Sequence, residues 1–72
     1  MIGEELRKAR LKAGLSQESL ADKSGLHRTY ISLLERDKKS PTLETLFHIC
    51  EALGVSAAWL IKKVEVDRNE NR

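Results

Sequence analysis

Two helical patterns meet across three residues, Ser24-Gly25-Leu26, and that junction leaves the chain few ways to fold. Before it, Ser16 offers a hydroxyl N-cap, and Gln17 to about Lys23 reads as a helix with Leu20 and Ala21 as its core contacts. Leu15 is expected to pack just ahead of the cap, and Ala21 is small enough to let a second helix cross closely. Gly25 sits where so short a turn most needs a positive φ, which glycine adopts without steric cost. Beyond the turn, Leu26 to Arg36 (LHRTYISLLER) reads as a second helix of about nine to ten residues. At 100° per residue, Ile31, Leu34, Tyr30 and His27 share one side of it. Ile31 and Leu34 are three apart, the spacing of two core anchors on one helical face.

The other side of that second helix is unusual. Arg28, Ser32, Thr29 and Leu33 fall within about 140° of one another, with Arg36 between them. A guanidinium, two hydroxyls and one leucine stand there without the Glu–Lys pairing of a merely solvated face. Arginine is a bidentate partner for guanine, hydroxyls serve several bases, and apolar groups touch the thymine methyl. By itself the stretch suits an ordinary amphipathic helix equally well. Its context decides for DNA. Helix, short glycine turn, helix is the helix-turn-helix unit, whose first helix crosses the phosphate backbone and whose second lies in the major groove.

The rest of the chain supplies helices to pack around this unit. A first helix is expected from about Ile2 to Ala13, with Ile2, Leu6, Ala9 and Ala13 on one face and Gly14 as its stop. Arg10 stands at the edge of that apolar face and is expected to pair with Glu35. After the polar loop Arg36-Asp37-Lys38-Lys39-Ser40-Pro41, Thr42 caps a helix from Leu43 to Leu53 that Gly54 ends. Its inner stripe reads as Leu43, Leu46, Phe47, Cys50 and Leu53, which makes Cys50 a small buried hydrophobe and not a reactive thiol. Ser56 caps a short last helix, Ala57 to about Lys63. Trp59, Leu60 and Ile61 cannot all enter one small core, so an exposed patch of Trp59 and Ile61, with Val55, is the expected dimer surface. The domain division that follows is residues 1–63 for the helical domain and 64–72 for a polar tail. In that tail Val64 and Val66 are read as extended and Asp67 to Arg72 as frayed.

Composition narrows the classes. At 72 residues the chain is one domain near the lower limit of a self-sufficient core, so a dimer interface would help stability as well as function. One Phe, one Trp and one Tyr among abundant Leu, Ala, Glu and Lys suit helices better than a sheet. The net charge of +2 says little about a polyanionic partner, but from Lys23 to Ser40 five cations stand against two anions. No apolar run approaches the 18 or so residues that span a bilayer, and no signal-peptide core is visible. A single cysteine, Cys50, closes no intramolecular disulfide. These features fit a cytoplasmic protein. An enzyme is not expected. His27 and His48 lie on different helices, His48 and Cys50 project about 200° apart, and no metal-ligand spacing or glycine-rich phosphate loop is present. Neither a metal, a cofactor nor a small-molecule ligand is expected.

The combined pattern resembles the Cro/repressor-type helix-turn-helix regulators, the class built like the DNA-binding domains of lambdoid phage repressors. The likeness is carried by Gly3, Leu6-Arg7, Arg10, Gly14-Leu15-Ser16-Gln17, Leu20-Ala21 and Gly25. It continues through Tyr30-Ile31-Ser32, Leu34-Glu35-Arg36, Ser40-Pro41-Thr42-Leu43-Glu44-Thr45-Leu46 and Ala52-Leu53-Gly54-Val55-Ser56, nearly the whole chain. Arg28 to Ser32 is also similar to the recognition helix of restriction–modification controller proteins. The resemblance implies a compact, all-α, five-helix domain that binds a double-stranded DNA operator as a homodimer. It places Arg28, Thr29, Ser32 and Leu33 at base-facing positions with His27 at their edge, Gln17 on a phosphate, and Arg10 and Glu35 in a helix-to-helix ion pair. Leu33 departs from the polar residue usual there, and a thymine methyl contact takes the place of a hydrogen bond.

Phosphate contacts are further expected from the free N–H groups above Ser16, from Arg36, Lys38 and Lys39, and from the helix start at Thr42. For Tyr30 a hydroxyl reaching phosphate or base and pure packing stand level. The alternative function is an antitoxin-like module that masks a partner protein, the tail after Lys63 folding against that partner, and that also controls its own promoter.

Overall fold

The computed structural model describes the backbone of residues 2–70 and the side chains of residues 2–66. The chain order is α1 (Ile2–Lys12), α2 (Gln17–Ser24), α3 (Arg28–Glu35), α4 (Leu43–Leu53) and α5 (Ala57–Glu70), with no strand among the described residues. Hydroxyl side chains start three of these helices. Ser16 Oγ accepts the Ser19 N–H at 3.0 Å, Thr42 Oγ1 accepts that of Thr45 at 3.1 Å, and Ser56 Oγ accepts that of Trp59 at 3.0 Å. Each supplies a partner to an amide that the helix itself leaves unbonded.

Every helix contributes to one core. Leu6 and Ala9 of α1 meet Leu20 and Ala21 of α2, Ile31 and Leu34 of α3, Leu46, Ile49, Cys50 and Leu53 of α4, and Ala57 and Leu60 of α5. Burying a Leu or Ile side chain contributes about 1.5–3 kcal/mol, so α3, only eight residues long, owes its stability to Ile31 and Leu34 and not to its own propensity. α1 packs on α3 and α5, α2 on α3 and α4, and α4 on α5. Gly25 takes φ 75° at the end of α2, the left-handed conformation that lets the chain turn directly into α3. A β-carbon on Gly3 would lie 2.5 Å from the carbonyl oxygens of both Leu34 and Glu35. The first turn of α1 therefore butts against the last turn of α3, and only glycine fits.

Four expectations need correction. The inner stripe of α4 is Leu46, Ile49, Cys50 and Leu53, whereas Leu43 and Phe47 are 61% and 54% exposed. Both sets have helical spacing. The choice falls to α2 and α5, which cover the face carrying Ile49. Ala13 is exposed because α1 ends at Lys12, and Gly3, Glu5 and Arg10 join its buried side instead. α3 begins at Arg28, not Leu26. His27 holds the N-cap position in extended conformation without a side-chain capping bond. α5 continues past Lys63 to Glu70, with Val64 and Val66 helical and not extended, because no glycine or proline interrupts its ladder. Fraying expected from Asp67 to Arg72 falls on residues whose side chains, and for 71–72 whose backbone, lie outside the described residues. No single helix among the described residues is long and apolar enough to cross a membrane.

Candidate nucleic-acid interface

α3 is divided as its sequence suggests except at His27. That residue is expected on the inner side with Ile31, Leu34 and Tyr30 but stands exposed at the N-cap position, ahead of the first helical turn. Ile31 and Leu34 are 1% exposed on the inner side. Arg28 and Thr29 are exposed and Ser32 and Leu33 half-buried on the outer side, with His27 exposed just ahead of them. Tyr30 is half-buried and its ring packs against the core, as both of the roles left open for it require. Arg36 is exposed, and its Nε donates to the Ser32 carbonyl at 3.3 Å, closing the last turn.

What aims α3 is a buried polar network. Arg10 Nε donates to Glu35 Oε2 at 2.6 Å, Nη2 to Glu35 Oε1 at 3.0 Å, and Nη1 to the Leu15 carbonyl at 2.9 Å. Both side chains are buried, and the fork-on-carboxylate geometry fixes direction as well as distance. The bond to Glu35 raises the Arg10 pKa above its ordinary value; burial works against that rise and the carboxylate charge adds to it. Arg10 therefore stays a cation at any ordinary pH. Gln17 Nε2 donates to Glu35 Oε1 at 3.2 Å. The sequence places Gln17 on a phosphate; the structure directs its amide at a carboxylate that Arg10 leaves room to satisfy. One carboxyl group thus ties α3 to α1, to the α1–α2 turn through Leu15, and to the first turn of α2.

The far end of α3 is closed by backbone. The Asp37 N–H donates to the Leu34 carbonyl at 3.1 Å and the Lys38 N–H to that of Leu33 at 2.9 Å, the paired bonds of a Schellman stop. Asp37 takes the left-handed position, φ 56°, and its Oδ1 accepts the Gly3 N–H at 2.9 Å. Sequence reasoning missed this contact; its one signal is a short acidic residue, tolerant of that conformation, where the helix needs a stop. Lys38 and Lys39 follow immediately, both exposed, and Thr42 is exposed at the start of α4.

On α5, Leu60 is fully buried while Trp59 and Ile61 are 40% and 45% exposed. Val55 is half-buried, and with Trp59, Leu53, Ala9, Lys12 and Ala13 it lines a groove of about 230 Å³. Lys63 Nζ stands 5.4 Å from the centre of the Trp59 ring, a cation–π contact. Among the described residues no three His, Cys, Asp or Glu side chains gather as a metal site.

Five helices with a glycine turn between α2 and α3, and a polar, arginine-bearing outer side on α3, define a lambda-repressor-like helix-turn-helix domain. The chain belongs to the helix-turn-helix family, whose profile matches residues 6–60. It is 43% identical over 63 residues to the control protein C.SmaI of Serratia marcescens, covering 88% of this chain and 75% of that protein. Among solved structures it is similar to the restriction-modification controller protein C.AhdI of Aeromonas hydrophila. That match has a TM-score of 0.80 and 37% identity, and covers 82% of this chain and 89% of that one. SinR, the master regulator for biofilm formation, was solved in complex with DNA; it matches with a TM-score of 0.80 and 32% identity over 85% of this chain and 98% of that one. The chain is a transcriptional regulator of this family, and its likeness to the controller proteins extends well beyond α3.

Proposed function

We propose that the protein represses or activates transcription by binding operator DNA as a homodimer, each protomer laying α3 in the major groove. Arg28, Thr29, Ser32 and Leu33 read base edges with His27 beside them, Arg28 by a bidentate bond to guanine and Leu33 against a thymine methyl. Lys38, Lys39, Arg36 and the amides at the starts of α2 and α4, near Gln17 and Thr42, hold phosphates and set register. Tyr30 backs this surface by packing. Val55, Trp59 and Ile61 form the two-fold contact, so two half-sites lie about 34 Å apart. The reaction, if so it is called, is binding alone, with no catalytic step, and its setting is the cytoplasm.

The observation that carries this reading is the exposure of Arg28 and Thr29 on a helix whose opposite side is pinned in the core. A partner-masking antitoxin module is not favoured, since the relatives are named as regulators and controller proteins and one is solved on DNA. Selection of bound duplexes from a random pool tests it. Two symmetric half-sites about one helical turn apart are expected; a pool that fails to enrich any sequence refutes it.

A further inference from the structure

The base-facing residues and the phosphate-facing lysines sit on different segments, and something must hold one in register with the other. We infer that Asp37 is a positioning residue for DNA binding: its carboxylate moors the Lys38-Lys39 loop to the first turn of α1, and through it to the end of α3. This rests on the operator-binding reading above and deepens it.

Three observations meet at this position. Asp37 occupies the left-handed stop of α3 at φ 56°, where glycine would be the less strained residue. Its Oδ1 accepts the Gly3 N–H at 2.9 Å across 34 positions of sequence, giving a partner to one of the amides that α1 cannot bond itself. Gly3 in turn has no room for a β-carbon, because the Leu34 and Glu35 carbonyls crowd it. Backbone contact and side-chain bond thus both join the start of α1 to the end of α3. Lys38 is held at its own amide by the Leu33 carbonyl at 2.9 Å. The loop that bears both lysines therefore begins at a residue bonded on both sides, Asp37 to Gly3 and Lys38 to Leu33. A carboxylate is an odd neighbour for two phosphate-binding cations, since its charge repels DNA. Its presence there is accounted for by the geometry it enforces.

That opposition gives a clean test. Asp37→Gly and Asp37→Asn remove the same negative charge, and both residues tolerate the left-handed backbone; only Asn keeps an acceptor for the Gly3 N–H. Affinity is measured over a salt series on a mixed-sequence DNA duplex and on the duplex enriched by selection, with thermal unfolding and hydrogen exchange at the Gly3 amide alongside. Asp37→Asn is expected to bind at least as tightly as the parent protein. Asp37→Gly is expected to bind both duplexes about three- to tenfold more weakly than Asp37→Asn, with a salt slope lower by up to about one and faster exchange at Gly3. Equal affinity of the two variants overturns the inference. So does a loss confined to the selected duplex, which would put Asp37 in base readout. If the parent protein itself shows no salt-sensitive binding to either duplex, the operator-binding reading fails first and this one falls with it.

Discussion

Replacing Glu35 by alanine removes the centre of the buried network and tests whether that network governs stability. The change leaves three donors without their acceptor: Arg10 Nε, Arg10 Nη2 and Gln17 Nε2. Arg10 keeps only its bond to the Leu15 carbonyl while remaining 8% exposed and charged. An uncompensated charge at that depth costs about 3–5 kcal/mol. A domain of 72 residues holds about 4–11 kcal/mol in total, so Glu35→Ala should take away a large part of it. The melting temperature should fall by on the order of 20 °C. Urea and thermal unfolding, followed by circular dichroism, read both quantities. The double variant Arg10→Met, Glu35→Leu supplies the control, because it removes both charges and fills the space with apolar atoms. It should recover most of the loss, short of about 1 kcal/mol for the Leu15 carbonyl and the half-buried Gln17 amide left without their partners. A Glu35→Ala protein destabilised by less than about 1 kcal/mol would mean that water reaches the guanidinium and that the pair is a surface ion pair in energetic terms. A double variant no more stable than Glu35→Ala would mean that stranded charge is not the source of the loss.

Arg28→Ala should weaken operator binding by about 1–3 kcal/mol and relax preference at one base pair, while unfolding changes by no more than about 0.5 kcal/mol. Lys39→Ala should weaken binding to every duplex alike and lower the salt slope by about one; titrations on operator and mixed-sequence DNA distinguish the two, and a uniform loss for both would break the division of roles. Ile61→Glu should shift sedimentation toward monomer, and an unchanged dimer would remove α5 from the interface. Gly3→Ala should cost about 1–3 kcal/mol in urea unfolding, because its methyl meets carbonyl oxygens of the backbone, which cannot step aside. Burial pushes the Cys50 thiol pKa above its ordinary 9.0, so the folded chain keeps the proton that the unfolded chain loses. The contribution of Cys50 is therefore complete below pH 9 and declines above it, and the stability difference from Cys50→Ala should narrow as pH rises above 9, as denaturant titrations measure it.

What could be read from the chain alone was what depends on near neighbours. Ser16, Thr42 and Ser56 bond amides three residues on, and Gly25 answers a turn whose length is visible in the sequence. The two sides of α3 follow from helical periodicity over eight residues. The Arg10–Glu35 pair was legible for a different reason: a cation at the margin of an apolar face needs an acid, and α3 offers one at its inner end. The α4 stripe was not legible, because that helix is apolar on more than one side and the choice between Phe47 and Ile49 is made by α2 and α5. Nor was the continuation of α5, where nothing in the sequence says stop and nothing says go on. The Asp37–Gly3 bond was hidden most deeply. Its two ends are 34 residues apart, and each has an ordinary local reading, one as a turn residue and the other as part of a helix start.

These differences in legibility bear on how the interface works. A helix as short as α3 has no orientation of its own; it is aimed by what grips it. The grips are Ile31 and Leu34 in the core, Glu35 on Arg10 and Gln17, and the backbone stop with Asp37 on Gly3. None of them uses the side chain of Arg28, Thr29, Ser32 or Leu33. The residues proposed for base readout therefore carry little of the burden of folding, whereas Ile31, Leu34 and Glu35, which carry much of it, are buried. On the proposed division of roles, exchange of the outer side chains should redirect the protein to another operator while leaving the aim of α3 unchanged. A change at Glu35, Gly3 or Asp37 alters that aim whatever sequence the outer side is built to read.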